Sequence, residues 1–562
     1  MRRYGTALAL ALAALVSAPR AAHAFDLTLF GKPLQLNLTE YGSVAYHSGN
    51  GYLDSTGATP VPGTIDPGLG AIQAGVGSKY MDWLNRLQVD ASWGSFTAML
   101  RLDTDLFLNA PQVPPQSDLH YEFIKNALAH RYGNRLDVEK VAVGYTSRHL
   151  EVTLGDSYVT YGRGLVLALR KEDELGVDTT LRGISATVHA AGLNLNAVAG
   201  VTNILNVDTA TGREADDPND LVVGSRAEYR FGTWVVPGVD VALIRYAHNA
   251  SILPQKTRDR VLAYSATLEL PNLWNHGSVY LEYARQDRHL YDTDISPEPT
   301  AFYAAGTAYA GPFTLLLEFK NYQHYLPVRT SLDQSQVPEL ALTDFYNAPP
   351  TLERITQAVD DNTDVTGPHA RLDVAITPNL VPFVSMAVFH NRTDHVNIYD
   401  PYAGVELKWQ DGRSRLSVSG GRRISRYDDT SARRRGLLYQ DTTHVEYDVN
   451  QWVTGPYSLE LEGLDEHWHE RYGTPVWHAG QAYLSLKRAN LWSAALGYEY
   501  YTEFEGSIRS NYFNVNAAWN ITRQVLVRVF AGGQRAGIKC VNGVCRNYPA
   551  FEGVRGEVIA KF

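Results

Sequence analysis

Alternation of apolar and polar residues recurs along most of this sequence, from about Pro33 to its last residue. In one segment, Leu193, Leu195, Ala197, Ala199 and Val201 alternate with Asn194, Asn196, Gly200 and Thr202. We count about 24 such segments by the period-two test. Because successive side chains of a strand point to opposite faces, each segment predicts a strand with one apolar and one polar face.

The connections between these segments alternate between short and long. Short turns are expected at Trp93–Ser95, Ala191–Gly192, Ala310–Gly311 and Gln410–Gly412, and long loops at Ser48–Asp82, Asn109–Asn134 and Tyr325–Thr366. Outer-membrane barrels place short turns on one rim and long loops on the other. The pattern therefore predicts an all-β fold, a closed transmembrane antiparallel β-barrel of about 24 strands, within roughly 22 to 26, with both termini on the periplasmic rim.

The last segment, Phe551–Phe562, supports this fold. Its small or apolar face is Val554, Gly556, Val558, Ala560 and Phe562, and its polar face is Arg555, Glu557 and Lys561. It resembles the closing strand of bacterial outer-membrane barrels, whose terminal Phe is recognised by the barrel-assembly machinery. The resemblance implies that Phe562 is an assembly signal and that this machinery is a partner. Taken alone, the segment also fits an edge strand of a soluble sheet.

The first residues predict export. Arg2 and Arg3 precede the short apolar run Ala7–Val16, and Ala22-His23-Ala24 has the pattern of a signal-peptidase site. We expect residues 1–24 to be a signal peptide and residues 25–562 to form a single barrel domain. With the predicted strands, this places the protein in the bacterial outer membrane, in contact with lipid and lipopolysaccharide.

Composition agrees with a barrel. The chain has 34 Tyr and 10 Trp but only 4 Met, and aromatic side chains populate the interfacial girdles of barrels. The formal net charge of −10 argues against a nucleic-acid partner.

One strand is interrupted by Gly155, Gly162 and Gly164, and charges of both signs crowd the residues that follow. We expect this segment to fold inward and to narrow the pore with its charged side chains. The alternative is a solvated outer loop. The charged residues concerned are Arg163, Arg170, Lys171, Glu172, Asp173, Glu174, Asp178 and Arg182.

The same segment carries a family resemblance. Gly155-Asp156, Tyr161–Leu165 and Asp178–Gly183, together with Tyr346–Arg354 and Gly533–Gly537, resemble an uncharacterised family of large bacterial outer-membrane β-barrel proteins, a domain of unknown function. The resemblance implies an outer-membrane barrel and brings no activity or catalytic residues.

Charged residues opposite the lipid face are expected to line the lumen, because an Arg or Lys at the lipid midplane would cost about 2–4 kcal/mol. Their mixed signs suit a channel or passive transporter for a polar solute or polymer, acting as a monomer. The alternative is a non-conducting barrel that anchors a secretion or surface complex. The residues include Arg226, Glu228, Glu318, Lys320, Arg371, Asp373, Glu406 and Lys408.

Other chemistry is sparse, and we expect neither an enzyme nor a cofactor. Gly155-Asp156-Ser157 lacks the context of an esterase nucleophile. His467 and His469 share a strand face and could pair on a metal, with His478 beyond the next loop, although solvent-exposed rim histidines are the alternative. Cys540 and Cys545, in the last long loop, are expected to form a disulfide in an oxidising compartment.

Overall fold

The computed structural model describes residues 25–48, 79–110, 132–172, 177–203, 207–208, 213–214, 219–247, 260–290, 293–294, 298–325, 346–350, 364–393, 395–427, 439–470, 476–502, 511–535, 537–541, 544–548 and 551–562. The predicted signal peptide lies outside these residues. Among them there is no helix long and apolar enough to cross a membrane.

Twenty-four strands form the wall of a single closed sheet, in agreement with the predicted fold class. In chain order, β1 to β24 are Lys32–His47, Tyr80–Trp93, Phe96–Leu108, Arg135–Thr146, Leu150–Ser157, Thr180–Ala190, Leu193–Asn203, Leu221–Tyr229, Val236–Arg245, Arg260–Leu270, Gly277–Leu290, Thr300–Ala310, Phe313–Gln323, Val365–Val374, Leu380–Asn391, Val396–Trp409, Ser414–Tyr427, Tyr439–Thr454, Tyr457–Glu470, Val476–Arg488, Trp492–Tyr501, Asn511–Asn520, Val525–Gln534 and Phe551–Lys561. Two short strands, Phe25–Leu29 and Thr293–Asp294, extend this sheet by pairing with β1 and β11.

The sheet closes because its first and last strands pair. β1 and β24 are antiparallel, with Thr39 opposite Lys561 and His47 opposite Gly553. Beyond this register, Leu38 and Phe562 exchange two backbone hydrogen bonds of 2.8 and 2.9 Å. The last residue of the chain thus completes the ladder, while its role as an assembly signal stays a prediction.

The two rims differ as the sequence predicted. On the short-turn rim, two-residue connections such as Ala191-Gly192 join neighbouring strands, and both residues have positive φ (47° and 88°), which suits a tight hairpin turn. The longer connections, such as the one between β3 and β4, leave and re-enter the wall at the opposite, long-loop rim. Leu29 and Phe562 both lie at the short-turn rim. The periplasmic location of that rim stays a prediction.

The outer face of the barrel is apolar and the lumen face is polar. On β19, Tyr457, Leu459 and Leu461 are exposed on the outer face, while Glu460 and Glu462 point into the lumen. Exposed aromatic side chains concentrate near the short-turn rim. They include Phe96, Tyr145, Tyr229, Trp274, Phe313, Tyr457 and Trp519.

The remaining short strands form small hairpins that are not part of the wall sheet. Gly537–Val541 pairs with Val544–Tyr548, which places the backbones of Cys540 and Cys545 directly opposite each other. Val207–Asp208 pairs with Arg213–Glu214. The cysteine register is compatible with the predicted disulfide, because facing residues of an antiparallel pair have the Cα separation that a disulfide needs. The cysteine side chains lie outside the described part, so the disulfide itself stays a prediction.

Candidate functional site

Between β5 and β6 the chain leaves the wall and enters the lumen. We call residues 158–172 and 177–179 the inward segment. Val159–Tyr161 pairs with Leu167–Leu169 as a hairpin, and Lys171–Glu172 pairs with Val177–Asp178. The segment therefore forms its own short ladders inside the barrel.

The part of the inward segment that meets the wall is apolar. Leu165, Val166, Leu167 and Leu169 have no exposed surface. They pack against inward-facing side chains of the eight consecutive strands β6 to β13. These are Leu181, Val198, Val222, Ala242, Ile244, Val261, Ala263, Tyr280, Ala284, Ala301, Tyr303 and Tyr322. The sequence analysis expected charged side chains of this segment to narrow the pore and did not predict the hydrophobic core at its contact with the wall.

A tight turn at Gly162–Gly164 is fixed by one buried carboxylate. Glu282, on β11, accepts a hydrogen bond from the Arg163 backbone N–H (3.0 Å) and one from the Tyr280 hydroxyl (2.6 Å). Gly162 has φ +58°, and a Cβ built there would lie 2.5 Å from the Glu282 carboxylate. A side chain at this position would displace the Glu282 carboxylate. The Arg163 guanidinium lies over the Tyr280 ring, 4.8 Å from its centroid, instead of extending across the pore.

Residues 346–350 cover the inward segment from the other side. The Ala168 N–H donates to the Tyr346 carbonyl (2.7 Å), and the Ala348 N–H donates to the Gly164 carbonyl (2.8 Å). The Leu165 carbonyl accepts from the Asn347 amide and from a tyrosine hydroxyl, each at 2.8 Å. Two stretches that carry the family resemblance, Tyr161–Leu165 and the start of Tyr346–Arg354, are thus bonded to each other.

Tyr346 is anchored in turn by a buried carboxyl between β7 and β8. Its hydroxyl donates to Asp220 (2.6 Å) and lies 3.1 Å from the Thr202 hydroxyl. The Ala247 N–H donates to the other Asp220 oxygen at 2.6 Å. Asp220 is 2% exposed, and burial raises its pKa to about 6 despite these hydrogen bonds.

The end of the inward segment is held by a cluster of buried charges. Asp178 accepts from Arg101 (2.9 Å), from the Tyr158 hydroxyl (2.5 Å) and from Lys140. Arg101 also makes two hydrogen bonds to Asp103, of 2.8 and 2.9 Å. Burial acts to raise the pKa of Asp178, but the neighbouring Lys140 and its hydrogen bonds outweigh it, so this pKa is lowered. We refer to this cluster as the Asp178 latch.

The barrel wall beside the inward segment extends less far toward the long-loop rim, because β5 has only eight residues. β5 is the shortest of the 24 strands, and its ladder with β4 ends at the pair Ala142 and Gly155. Beyond this pair, toward the long-loop rim, side chains bond the backbone of β4 instead of a neighbouring strand. Asp156 accepts from the Val141 N–H (2.8 Å), and Arg182 donates to the Glu139 carbonyl (2.6 Å).

Arg182 also pairs with Asp156, at 3.1 Å. It shares the strand face of the exposed Ile184 and Val188, so it lies on the outer face rather than in the lumen.

Several predicted lumen residues lie on the strands that the inward segment covers. Arg226 pairs with Glu228 and lies 3.5 Å from Asp240. Glu318 contacts His369 at 2.7 Å.

Lys320 faces the lumen but has no exposed surface. Its ammonium lies 5.5 Å from the Tyr322 ring centroid and 5.7 Å from that of Phe389. It is part of the packed wall and does not line an open path.

The remaining predicted lumen residues lie on strands that the inward segment leaves free. Arg371 and Asp373 form a salt bridge of 2.8 Å on β14, with side chains 31% and 25% exposed. Glu406 and Lys408 on β16 are exposed on the lumen face. We call the lumen face of β14 to β23 the uncovered wall, because its described residues contribute nothing to the apolar core around the inward segment.

The rest of the predicted constriction is only partly described. Lys171 is exposed, and the Arg170 carbonyl accepts from the Thr179 N–H at 3.2 Å. Asp173 and Glu174 lie outside the described residues, as does the side chain of Glu172. No group of three or more His, Cys, Asp or Glu side chains that could hold a metal ion occurs in the described part of the chain.

The comparison with protein families confirms the resemblance to an uncharacterised family. Residues 85–336 match the model of DUF6029, a family of unknown function. The matched stretch includes the whole inward segment. No curated protein matches the chain.

Solved structures with similar architecture are outer-membrane proteins. The siderophore receptor PirA from Pseudomonas aeruginosa has a TM-score of 0.46 and 6% identity, over 94% of this chain and 80% of that one. The P pilus usher (PapC) translocation pore has a TM-score of 0.40 and 7% identity, over 94% and 99%. The outer membrane protein opdK from Pseudomonas aeruginosa has a TM-score of 0.37 and 12% identity, over 82% and 99%. At these values the function of this chain stays open.

The turn at Gly162 gives the first testable prediction. In Gly162→Ala the new methyl group would clash with Glu282, so we expect the turn to shift and trypsin to cleave the inward segment at Arg163 and Arg170. The cost has two parts, about 1–2 kcal/mol for an alanine with positive φ and about 1–3 kcal/mol for the overpacking. Limited proteolysis of the purified protein measures the rate of cleavage at these two arginines.

Gly311→Ala is the matched control for this change. Gly311 has nearly the same φ (+57°), but nothing lies within 4 Å of a Cβ there. Equal protease sensitivity of the two variants would show that Glu282 does not hold the turn.

The buried Asp220 carboxyl predicts a pH dependence of stability. Its pKa is about 6 in the folded chain and 3.8 when unperturbed. Ionisation of this buried group therefore lowers the free energy of unfolding above pH 6, and this loss disappears as the pH falls toward 4. We expect the wild type to gain up to about 3 kcal/mol of unfolding free energy from this group over that range. Asp220→Asn should lack this gain in urea titrations at each pH. Asp411→Asn, at a side chain 97% exposed, should keep it. Parallel profiles for all three proteins would contradict the prediction.

Proposed function

We propose that this protein is an outer-membrane channel or passive transporter for polar solutes, whose lumen the inward segment narrows. The observation that supports this proposal is the difference between two sides of the lumen. An apolar core fills the side along β6 to β13, whereas the uncovered wall presents charged side chains that remain accessible to water.

The uncovered wall has the chemistry of a path for polar solutes. On the lumen face of β17 and β18, Arg415 pairs with Asp448, and these side chains are 51% and 32% exposed. On the lumen face of β19 and β20, Glu460 pairs with Lys487, and the Lys487 side chain is 37% exposed. Charges of both signs that stay partly hydrated suit passage of polar molecules without strong selection by charge sign.

The location in a membrane is supported by the outer face. Its exposed Leu and Val side chains alternate with lumen-facing charges, and exposed aromatic residues lie near the short-turn rim. This is the distribution that lipid imposes on transmembrane barrels. The outer membrane of a Gram-negative bacterium is therefore the proposed site.

A non-conducting barrel is the second candidate, and one observation favours it. Part of the inward segment is wholly buried, as in a protein core: the side chains of Leu165, Val166, Leu167 and Leu169 have no exposed surface. Such packing suits a permanent closure as well as a constriction. In that case the barrel would serve as an anchor or scaffold for a secretion or surface complex.

Membrane insertion is tested by two neighbouring residues on opposite faces. We expect Leu461→Arg, on the outer face of β19, to lower the unfolding free energy by about 2–4 kcal/mol, because the charge would face lipid. Glu462→Arg, on the lumen face, should cost much less. Urea unfolding of the protein in lipid vesicles measures both. Equal costs would argue that the outer face does not contact lipid.

Conduction is tested in planar bilayers with a matched pair of variants. Leu167→Asp buries an unpaired charge in the apolar core, which costs several kcal/mol and should release the inward segment from the wall. Leu167→Met nearly conserves volume and should keep it in place. We expect steady current through the wild type and Leu167→Met, and a larger single-channel current through Leu167→Asp.

The outcomes separate the two candidates, provided that each variant still runs as a folded, heat-modifiable barrel. Absence of current in all three proteins would favour the scaffold. Equal current in all three would show that the protein conducts but that the inward segment does not constrict the path.

A further inference from the structure

Two histidines face each other on the outer surface near the long-loop rim, away from the lumen. His467 on β19 and His478 on β20 are directly opposite each other in the antiparallel register. Both share the strand faces of exposed apolar residues, Leu461 for His467 and Leu484 for His478, so both rings lie on the outer side. The function proposed above assigns them no role.

The separation of the two imidazoles matches a shared metal ion. Their Nδ1 atoms are 3.4 Å apart, with ring centroids at 4.6 Å and ring planes at 59°. A tetrahedral Zn²⁺ holds nitrogen ligands at about 2.0–2.1 Å, which places two such ligands about 3.3 Å from each other. For a hydrogen bond the distance is long, since such bonds usually measure about 2.7–3.2 Å.

The surrounding backbone keeps the pair in place before any metal arrives. On the lumen side of the same strands, Trp468 and Trp477 are also directly opposite, and their rings stack at 4.6 Å with an interplanar angle of 6°. Directly after the end of β21, the Thr502 hydroxyl accepts from the His478 N–H at 2.7 Å, and the Thr502 N–H donates to the His478 carbonyl at 2.8 Å. Little rearrangement is needed to present both nitrogens.

From this geometry we propose that His467 and His478 form a binding site for a divalent transition-metal ion, Zn²⁺ or Cu²⁺, at the outer edge of the barrel. Imidazole nitrogens suit these ions. The chain supplies two ligands and water fills the remaining positions, in keeping with the absence of a three-residue metal group among the described residues. The bound ion would join β19 to β20 close to their long-loop ends.

The sequence analysis paired His467 with His469 and named His478, beyond the next loop, as a further ligand. His469 lies on the same face but two residues further along the strand, directly opposite Val476. The strand register shows that His478, the cross-strand neighbour of His467, is the better placed second ligand.

The test uses the full mature protein in detergent, purified through a tag without histidine, with Cys540→Ser and Cys545→Ser to remove thiol ligands. Isothermal titration with ZnCl₂ should show one saturable site per chain. His467→Gln and His478→Gln should each weaken binding by at least about 10–100-fold, the loss that removal of an outer-shell partner already causes at metal sites. Cu²⁺ electron paramagnetic resonance should show two coordinated nitrogens in the parent protein and fewer in either variant.

His390→Gln is the matched control. His390 is also directly opposite a polar residue of the neighbouring strand, Asn397, and contacts it at 3.1 Å. It should leave both readouts unchanged. Zinc binding that survives either His467→Gln or His478→Gln, or the absence of any saturable site, would overturn the proposal. A folded-barrel check by gel mobility excludes misfolding as the cause of a loss.

Discussion

The whole molecule depends on the closed ladder of backbone hydrogen bonds that begins at β1 and returns to it through β24. Each strand supplies the partners of its neighbours, and the bonds between Leu38 and Phe562 complete the circle. A barrel surrounded by lipid has no water on its outer side to bond an open edge, so closure is a requirement for such a chain. Anything that departs from the wall must then bring its own hydrogen-bond partners.

The inward segment obtains its backbone hydrogen-bond partners from within itself and from residues 346–350. Its two short hairpins pair internally, and the carbonyls of Gly164 and Leu165 receive hydrogen bonds from residues 346–350. Where the departing chain leaves β4 without a neighbour, the side chains of Asp156 and Arg182 bond the exposed backbone. Polar side chains thus repair the ladder at the place where the chain is diverted into the lumen.

The sequence predicted the barrel well because its signals are local and repeated. Alternation identifies the strands, and turn residues such as Gly192 identify the short rim, without knowledge of any distant contact. The inward segment was visible through Gly162 and Gly164, but its packing was not, since charges stand out in a sequence and the apolar run Leu165–Leu169 reads as one more strand. The placement of Arg182 was missed because the sequence analysis assigned it to the inward segment, whereas β6 already begins at Thr180 and gives Arg182 the outward face of Ile184 and Val188.

The partners of the inward segment could not be predicted from the sequence, because they are distant along the chain. Glu282 and Asp220 are separated from Gly162 and Tyr346 by more than a hundred residues, and only the register of the intervening strands brings each pair together. Tyr346 lies within a stretch that carries the family resemblance, yet a motif without a known role does not say what it touches.

Apolar burial and polar contacts have different tasks in this lumen. Each fully buried Leu or Val contributes about 1.5–3 kcal/mol, so the four wholly buried side chains of the inward segment supply most of its attachment to the wall. Hydrophobic contact has no direction, however, and would tolerate several positions along β6 to β13. Buried ion pairs add little net stability because desolvation offsets their attraction, but they penalise every arrangement that leaves one charge unpaired. The Asp178 latch therefore determines where the segment lies, and so does Glu282, since a buried carboxylate that lost its hydrogen bonds would also be penalised. The apolar core determines that the segment stays inside.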